Sequence, residues 1–144
     1  QEGDSLKEDI LKKLSGIQKL VDYIEERSPQ IVAEYREKLQ NKVRELLSDT
    51  QIEEGRLAAE VVIFADKICT DEELVRLRSH VVHMKETLES KESGIGRKLD
   101  FIAQEMNREA NTILSKANDL EVSNAGIDLK TEIEKVREQI QNIE

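Results

Sequence analysis

Two carboxylates stand four residues apart in the segment QEMNRE, residues 104–109. At this spacing Glu105 and Glu109 project from the same side of a helix. Carboxylate oxygens are the ligands that Mg²⁺ and other hard divalent cations prefer, so the pair is a candidate metal site. The alternative is a solvated helix face, on which Glu105 pairs with Arg108 or Glu109 pairs with Lys116.

A second line of polar side chains follows the same helix and consists mostly of amides. Its members recur at helical spacing and are Asp100, Gln104, Asn107, Asn111 and Asn118. Asparagine is an indifferent helix former, so helix propensity does not explain these residues. Amides can bind a ligand or form hydrogen bonds across a seam between subunits, and the pattern leaves both functions open.

The helix that would position both groups is defined by a regular apolar row. The row alternates spacings of four and three, which is typical of a packed seam, and contains Leu99, Ala103, Met106, Ala110, Ile113, Ala117 and Leu120. Alanines between the large residues leave room for a close partner helix. A polar, glycine-containing break over residues 90–96 precedes the row, so we expect a loop there.

The apolar row cannot continue past Leu120 without placing Asn124 in the interior, which predicts a kink or turn over residues 118–123. A new inward row then contains Val122, Gly126, Leu129, Ile133, Val136, Ile140 and Ile143. Glycine on an inward row costs about 1 kcal/mol of helix propensity relative to alanine. We therefore expect Gly126 to lie at a close crossing with another helix.

Upstream of the break, the pattern predicts four more helices. The first ends near Arg27 because Ser28 and Pro29 follow, and Pro29 opens the second, which ends over residues 48–50. The third runs from about residue 53 to 68 and has the widest apolar face, so we expect it to be buried on more than one side. Thr70 and Glu73 have the spacing of a capping box, which starts the fourth helix near residue 71.

These elements predict an all-α fold of long antiparallel helices with coiled-coil-like seams, arranged as helical hairpins and a bundle. Residues 1–50 are interpreted as an N-terminal helical pair, an arm or hairpin. Residues 51–144 are interpreted as a C-terminal helical domain. Aromatic residues make up only 3% of the chain, which favours aliphatic helix packing over a β-sandwich or barrel.

Composition limits the function classes. The net charge of -9 disfavours nucleic-acid binding unless basic residues cluster locally, a cation is bound or another part of the protein helps. No apolar run reaches the roughly 20 residues of a membrane span. The single cysteine, Cys69, fits a reducing cytoplasm, so a soluble cytoplasmic protein is expected. The chain begins at Gln1 rather than Met, which we interpret as a fragment of a longer protein.

The segment GIGRKLDFIAQEMNREANTILSKANDLE and the terminal EIEKVREQIQNIE resemble the C-terminal domain of the YicC family of bacterial endoribonucleases. EEGRLAAEVVIFADK and EELVRLRSHV are similar to the preceding region of that family. The resemblance implies cleavage of RNA phosphodiester bonds with Mn²⁺ or Mg²⁺. It also implies a homo-oligomer, a hexamer in the expected case, and an N-terminal half that this chain lacks.

The resemblance also gives roles to particular residues. Glu105 and Glu109 become catalytic metal ligands, and His80, in the RLRSH segment, becomes the general acid or base, since the reference pKa of histidine lies near neutrality. The alternative for His80 is an ordinary exposed histidine beside the seam of a helix. The candidate RNA-binding residues are Arg97, Lys98, Asn107, Arg108, Asn111 and Lys116. The backbone at Gly94 and Gly96 leads into a helix N-terminus, where a phosphate can bind, although a simple hinge is the alternative.

A second function of a different class is consistent with the same sequence. The seams can build a helical oligomerisation or interaction module whose catalysis resides mainly in the missing N-terminal half. The acidic charge favours this alternative for the fragment alone, whereas the shared motifs favour the endoribonuclease for the intact protein.

Overall fold

The computed structural model describes residues 2–47 and 53–143 and shows five helices. They are α1 (Glu2–Leu47), α2 (Glu54–Ile68), α3 (Asp71–Glu89), α4 (Ile95–Lys116) and α5 (Leu120–Ile140). The predicted all-α class is confirmed, and these described residues contain no strand. None of the five helices is long and apolar enough to cross a membrane.

Four of the helices form a bundle around one core. α1 and α4 each pack against both α3 and α5, so the four helices close into a ring of neighbours. Asp9 and Arg27 of α1 contact Gln139 and Asp119, at opposite ends of α5, so these two helices run antiparallel. The pairs Glu73 with Lys116 and Arg76 with Glu109 show the same for α3 and α4. The largest fully buried side chains come from all four helices and include Ile10, Leu14, Leu77, Met84, Leu99, Met106 and Leu129. Aliphatic burial of this kind is the main favourable term in folding.

The predicted helix break at Ser28 and Pro29 is wrong. α1 is continuous over 46 residues, about 69 Å at the usual rise, and Pro29 lies inside it. Proline removes one backbone hydrogen bond and strains the preceding turn, a cost of about 3 kcal/mol. Core packing of Ile24 and Ile31 on either side of Pro29 offsets that cost. The first fifty residues are therefore not a helical pair, at least as far as residue 47.

The end of α1 extends beyond the bundle and, among the described helices, packs against α2. Tyr35 and Phe64 stack there, with ring centroids 3.8 Å apart. The expectation that α2 is buried on more than one side is wrong, because Val61 is its only buried residue and Val62 is 65% exposed. The predicted helix end over residues 48–50, and with it the domain boundary at residue 50, lies outside the described residues.

The boundaries around α4 agree with the sequence pattern. Its apolar row is fully buried from Leu99 to Ile113, and Leu120 is 76% exposed where the row was expected to fail. Asp119 caps α5 by accepting a hydrogen bond from the backbone N–H of Val122. Gly126 lies against Leu114, whose Cδ2 would be 2.8 Å from an added Cβ, which confirms the close crossing.

The capping box at the start of α3 does not form, although the helix begins at Asp71 as predicted. The side chain of Thr70, at the N-cap, makes no capping hydrogen bond. Glu73 is instead occupied by Lys116 of α4, whose Nζ lies 3.2 Å from its Oε2. A tertiary ion pair has therefore taken the place of the local hydrogen bond.

Candidate functional site

Charged side chains cross the contact between α3 and α4 in two successive turns. Lys116 Nζ reaches Glu73 Oε2 at 3.2 Å and also donates to the carbonyl oxygen of Cys69. One turn further along α3, Arg76 Nε donates to Glu109 Oε2 at 3.0 Å, and its Nη2 lies 3.6 Å from Glu73. We call Glu73, Arg76, Glu109 and Lys116 the interhelix charge cluster. Its two acids and two bases compensate one another.

The two acids of this cluster are among the few buried charged residues. Glu73 is 4% exposed and Glu109 is 5% exposed. Burying a carboxylate is costly unless a cation and hydrogen bonds compensate it. The hydrogen bond to Glu109 is also the main cause that raises the pKa of Arg76 above its usual value. The cluster therefore fixes the register of α4 against α3.

This geometry changes the interpretation of the predicted metal pair. Glu109 does not project outward beside Glu105, because its carboxylate turns towards α3 and binds Arg76. Within residues 2–47 and 53–143, no group of three or more His, Cys, Asp or Glu side chains is arranged to hold a metal. Glu105 and Glu109 thus do not form a complete site for Mn²⁺ or Mg²⁺ by themselves. Their assignment as metal ligands stays a prediction.

His80 of α3 and Glu105 of α4 each lie one helical turn from the Arg76–Glu109 pair. Because α3 and α4 run antiparallel and Arg76 faces Glu109, the same register places residue 80 alongside residue 105 one turn later. His80 is half-buried, and the Glu105 side chain is 27% exposed. Arg108 lies 3.9 Å from Glu105, a long ion pair on a largely exposed side chain. His80 and Glu105 are therefore both partly accessible, and Glu105 is accompanied by Arg108.

The remaining predicted RNA-binding residues divide between buried and exposed positions. Lys116 is engaged in the interhelix charge cluster. Asn107 is half-buried, and its Oδ1 is buried without a hydrogen-bond partner in the described structure. Arg97, Lys98, Arg108 and Asn111 are exposed. These four side chains are thus accessible to a ligand, whereas Lys116 is held by Glu73.

We call the side of α4 that faces away from α3 and α5 the outer face of α4. It consists of Arg97, Phe101, Gln104, Arg108 and Asn111, all of which are exposed, and Lys98 is exposed at its edge on the α3 side, five helical turns before Lys116. Arg97 and Lys98 form no ion pair within the described part of the chain. The nearby Asp100 accepts from Arg137 Nε and from Gln104 Nε2, so its charge is compensated. An acidic protein therefore presents a local basic surface here.

At its N-terminal end, the outer face of α4 adjoins an open cleft of about 510 Å³. Gly94 precedes the helix with a φ of 72°, a left-handed conformation that glycine adopts without strain. The cleft is lined by Gly94, Gly96, Arg97, Asp100, Ile140, Gln141 and Ile143. Phosphate binding at this helix N-terminus stays a prediction.

Phe101 was missed by the sequence analysis, although this residue is 61% exposed on the outer face of α4. The signal was available, since Phe101 lies off the apolar row of Leu99 and Ala103 and one turn from Arg97. An aromatic residue outside the seam of an amphipathic helix is expected in solvent.

Comparison with known proteins shows the family of the chain. The model of the family described as "Endoribonuclease YicC-like, C-terminal" matches residues 24–144. A protein of Clostridioides difficile strain 630 named "Probable endoribonuclease YicC" is 48% identical over 145 residues, covering 100% of this chain and 49% of the relative. A protein of the same name from Haemophilus influenzae is 35% identical over 144 residues, again 100% of this chain and 49% of the relative.

The chain thus spans about half the length of the curated relatives that it matches. The matched region contains the Arg76–Glu109 pair, His80 and Glu105, and the outer face of α4. The chain belongs to the YicC-like endoribonuclease family and corresponds to its C-terminal domain.

Proposed function

We propose that the intact protein is an endoribonuclease and that this chain supplies its RNA-contacting surface on the outer face of α4. The observation that carries this proposal is the exposed basic group of Arg97, Lys98 and Arg108. The names of the two relatives support RNA as the substrate. The RNA phosphate backbone is bound chiefly through such cations.

The charge distribution supports this surface over the rest of the chain. The net charge of -9 repels RNA in general, so binding requires a place where basic side chains are locally in excess. Arg97 and Arg108 are separated by about 16 Å along the helix. That length accommodates a few nucleotides. The buried acids Glu73 and Glu109 do not oppose binding there, because Lys116 and Arg76 compensate their charges.

The chemistry that this chain can contribute lies at His80 and Glu105. Cleavage of a phosphodiester requires a base for the attacking oxygen, an acid for the leaving oxygen and compensation of the phosphate charge. His80 and Glu105 are suited to transfer protons, and Arg108 can compensate charge beside them. Glu109 contributes by holding Arg76. This pair sets the register of α3 against α4 that brings residue 80 alongside residue 105. A requirement for Mn²⁺ or Mg²⁺ stays a prediction for the intact protein.

A second candidate function is favoured by a different part of the molecule. Val62 and Ile63 of α2 and Leu46 of α1 are 65%, 55% and 71% exposed. Exposed aliphatic side chains of this kind are typical of surfaces that bind another protein. In this alternative the chain is an assembly module, its homo-oligomer is built through the end of α1 with α2, and catalysis resides in the remaining half of the protein.

Cleavage of a labelled RNA by the intact protein, with Mn²⁺ or with chelator, distinguishes the endoribonuclease from the assembly module. Removal of a general acid or base lowers rates by about 100-fold or more, so we expect losses of that size for His80→Ala and Glu105→Ala. His83→Ala is the matched control, because His83 is an exposed histidine of the same helix. Light scattering checks that each variant keeps the mass of the parent assembly.

Three results would contradict the proposal at different points. If the parent cuts no RNA under either condition, the endoribonuclease function is wrong. If His80→Ala and Glu105→Ala both cut as fast as the parent, the assignment of chemistry to this chain is wrong and the assembly module is favoured. If cleavage is equal with Mn²⁺ and with chelator, the predicted metal requirement is wrong.

A further inference from the structure

Phe101 is an exposed ring in a protein with few aromatic residues. The chain contains two Phe, two Tyr and no Trp, and Phe64 and Tyr35 stack on each other. Phe101 is instead 61% exposed, although its neighbours Ile102 and Ala103 are buried in the core. The fold therefore does not use the Phe101 ring for its own packing.

The neighbours of Phe101 on the helix surface are polar or charged. Arg97 and Lys98 lie one turn before it, and Gln104 and Glu105 lie one turn after it. On a helix, residues three or four apart have Cβ atoms about 5–6 Å apart, so these side chains surround the ring. A single ring in such surroundings is not a contiguous apolar patch.

We propose that Phe101 stacks against an unpaired base of the RNA substrate, while Arg97 and Lys98 hold the neighbouring phosphates. Aromatic rings beside cations are the usual means of binding single-stranded RNA, because every base presents a flat face. Bases in a duplex are stacked on one another and cannot reach the ring. This inference rests on the proposed function and specifies its substrate as RNA with unpaired nucleotides at the contact.

The stack also sets the position of the strand relative to the acid and base. Phe101 precedes Glu105 by one helical turn, so a nucleotide next to the stacked base lies close to Glu105 and to the level of His80. Phe101 is in this sense a positioning residue. It fixes which phosphodiester bond faces the proton-transferring groups, and cleavage is expected beside the stacked base.

A second copy of this chain fits the Phe101 surface less well than RNA does. Cores of protein interfaces are depleted of charged residues and contain contiguous apolar area. Around Phe101 the residues one turn away are Arg97, Lys98, Gln104 and Glu105. The exposed aliphatic side chains Val62 and Ile63 lie elsewhere, on α2. A subunit contact at Phe101 is therefore the alternative that the experiment must exclude.

The test compares binding of two probes to the intact protein: a single-stranded oligoribonucleotide carrying 2-aminopurine, and a blunt duplex of the same sequence. Loss of one base stack weakens single-strand binding by about tenfold. We expect this loss for Phe101→Ala and Phe101→Leu, with full 2-aminopurine quenching retained by Phe101→Trp. Duplex binding is expected to stay within about twofold. Val75→Ala, which changes a 65% exposed apolar residue of α3, is the control.

Leucine keeps apolar bulk but has no ring, so Phe101→Leu separates stacking from a hydrophobic subunit contact. Single-strand affinity equal to that of the parent in Phe101→Leu would overturn the proposal. A changed assembly mass by light scattering in Phe101→Ala would also overturn it, in favour of the subunit contact. If the parent itself binds no RNA, the proposed function fails together with this inference. If the parent binds single-stranded RNA and the Phe101 variants bind it with the same affinity, the inference fails and the proposed function stands.

Discussion

Two groups of charged residues on α4 have opposite environments. Glu109 and Lys116 face α3 and are held by Arg76 and Glu73, with Glu109 only 5% exposed. Arg97 and Arg108 face solvent on another side of the helix, and within the described residues their one ion pair is the long contact of 3.9 Å between Arg108 and Glu105. Both groups recur at helical spacing in the sequence, so spacing alone does not distinguish them. Burial and pairing do, and they indicate that the first group holds helices together while the second is available to a ligand.

The largest expected effect on stability comes from Glu109, in the buried group. Glu109→Ala removes the acceptor of a hydrogen bond from Arg76 inside the α3–α4 contact. We expect the free energy of unfolding to fall by about 2 kcal/mol, the usual cost of losing a hydrogen bond to a charged group. Urea unfolding followed by circular dichroism measures this change.

Glu105→Ala is the matched control for Glu109→Ala, since both remove a glutamate from the same helix. Within the described residues Glu105 forms one ion pair, with Arg108 at 3.9 Å, so a loss below about 0.5 kcal/mol is expected. Equal losses in the two variants would contradict the distinction between the paired inner residues and the exposed ones.

A smaller effect is expected from reversing one charge of the cluster. Lys116→Glu adds a third carboxylate to the interhelix charge cluster, next to Glu73, and should therefore lower the free energy of unfolding. The expected loss is only about 1 kcal/mol, because the lysine is partly exposed. Adding Glu73→Lys restores the opposite charges across the contact and should recover most of the loss. A double variant no more stable than Lys116→Glu would show that the contact does not depend on this pair.

The smallest effect concerns pH and a second paired group, at the turn between α4 and α5. Arg27 lies 2.9 Å from Asp119, and its hydrogen bond is the main cause that lowers the pKa of the Asp119 carboxyl. A lowered pKa in the folded state means that the ionised carboxylate stabilises the fold above about pH 4, and that this contribution is lost as pH falls further.

Asp119→Asn keeps a good helix cap and removes only the charge. The parent should therefore be slightly more stable than this variant at pH 7, with the difference closing between about pH 4 and pH 2. Thermal unfolding across that range measures the difference. A gap that widens as the pH falls would contradict the assigned sign.

Most of the bundle could be predicted from the sequence because its helices are strongly amphipathic. The rows from Leu99 and from Val122, the loop before α4 and the close crossing at Gly126 all follow from periodicity and local conformational preference. Pro29 shows the limit of local rules. Its cost to a helix is real, but tertiary packing of Ile24 and Ile31 offsets it, and that packing is not visible in the local sequence.

The candidate site was less predictable, since it depends on which side chains meet across helices. Glu105 and Glu109 have equivalent spacing, yet only Glu109 lies opposite Arg76. Glu73 fits a capping box, yet Lys116 binds it from another helix. The exposed position of Phe101 could have been recognised from its displacement from the apolar row.

The central claim, that the outer face of α4 binds RNA phosphates, is tested most directly by the salt dependence of binding. Affinity of the intact protein for a single-stranded oligoribonucleotide would be measured over a range of salt concentrations, for the parent and for Arg97→Ala/Arg108→Ala. Each phosphate contact contributes about 0.7 to the slope of log affinity against log salt for single strands. We predict a slope shallower by about 1.4 in the double variant, with unchanged stability. Parallel slopes would contradict the account, because RNA would then bind without these two arginines.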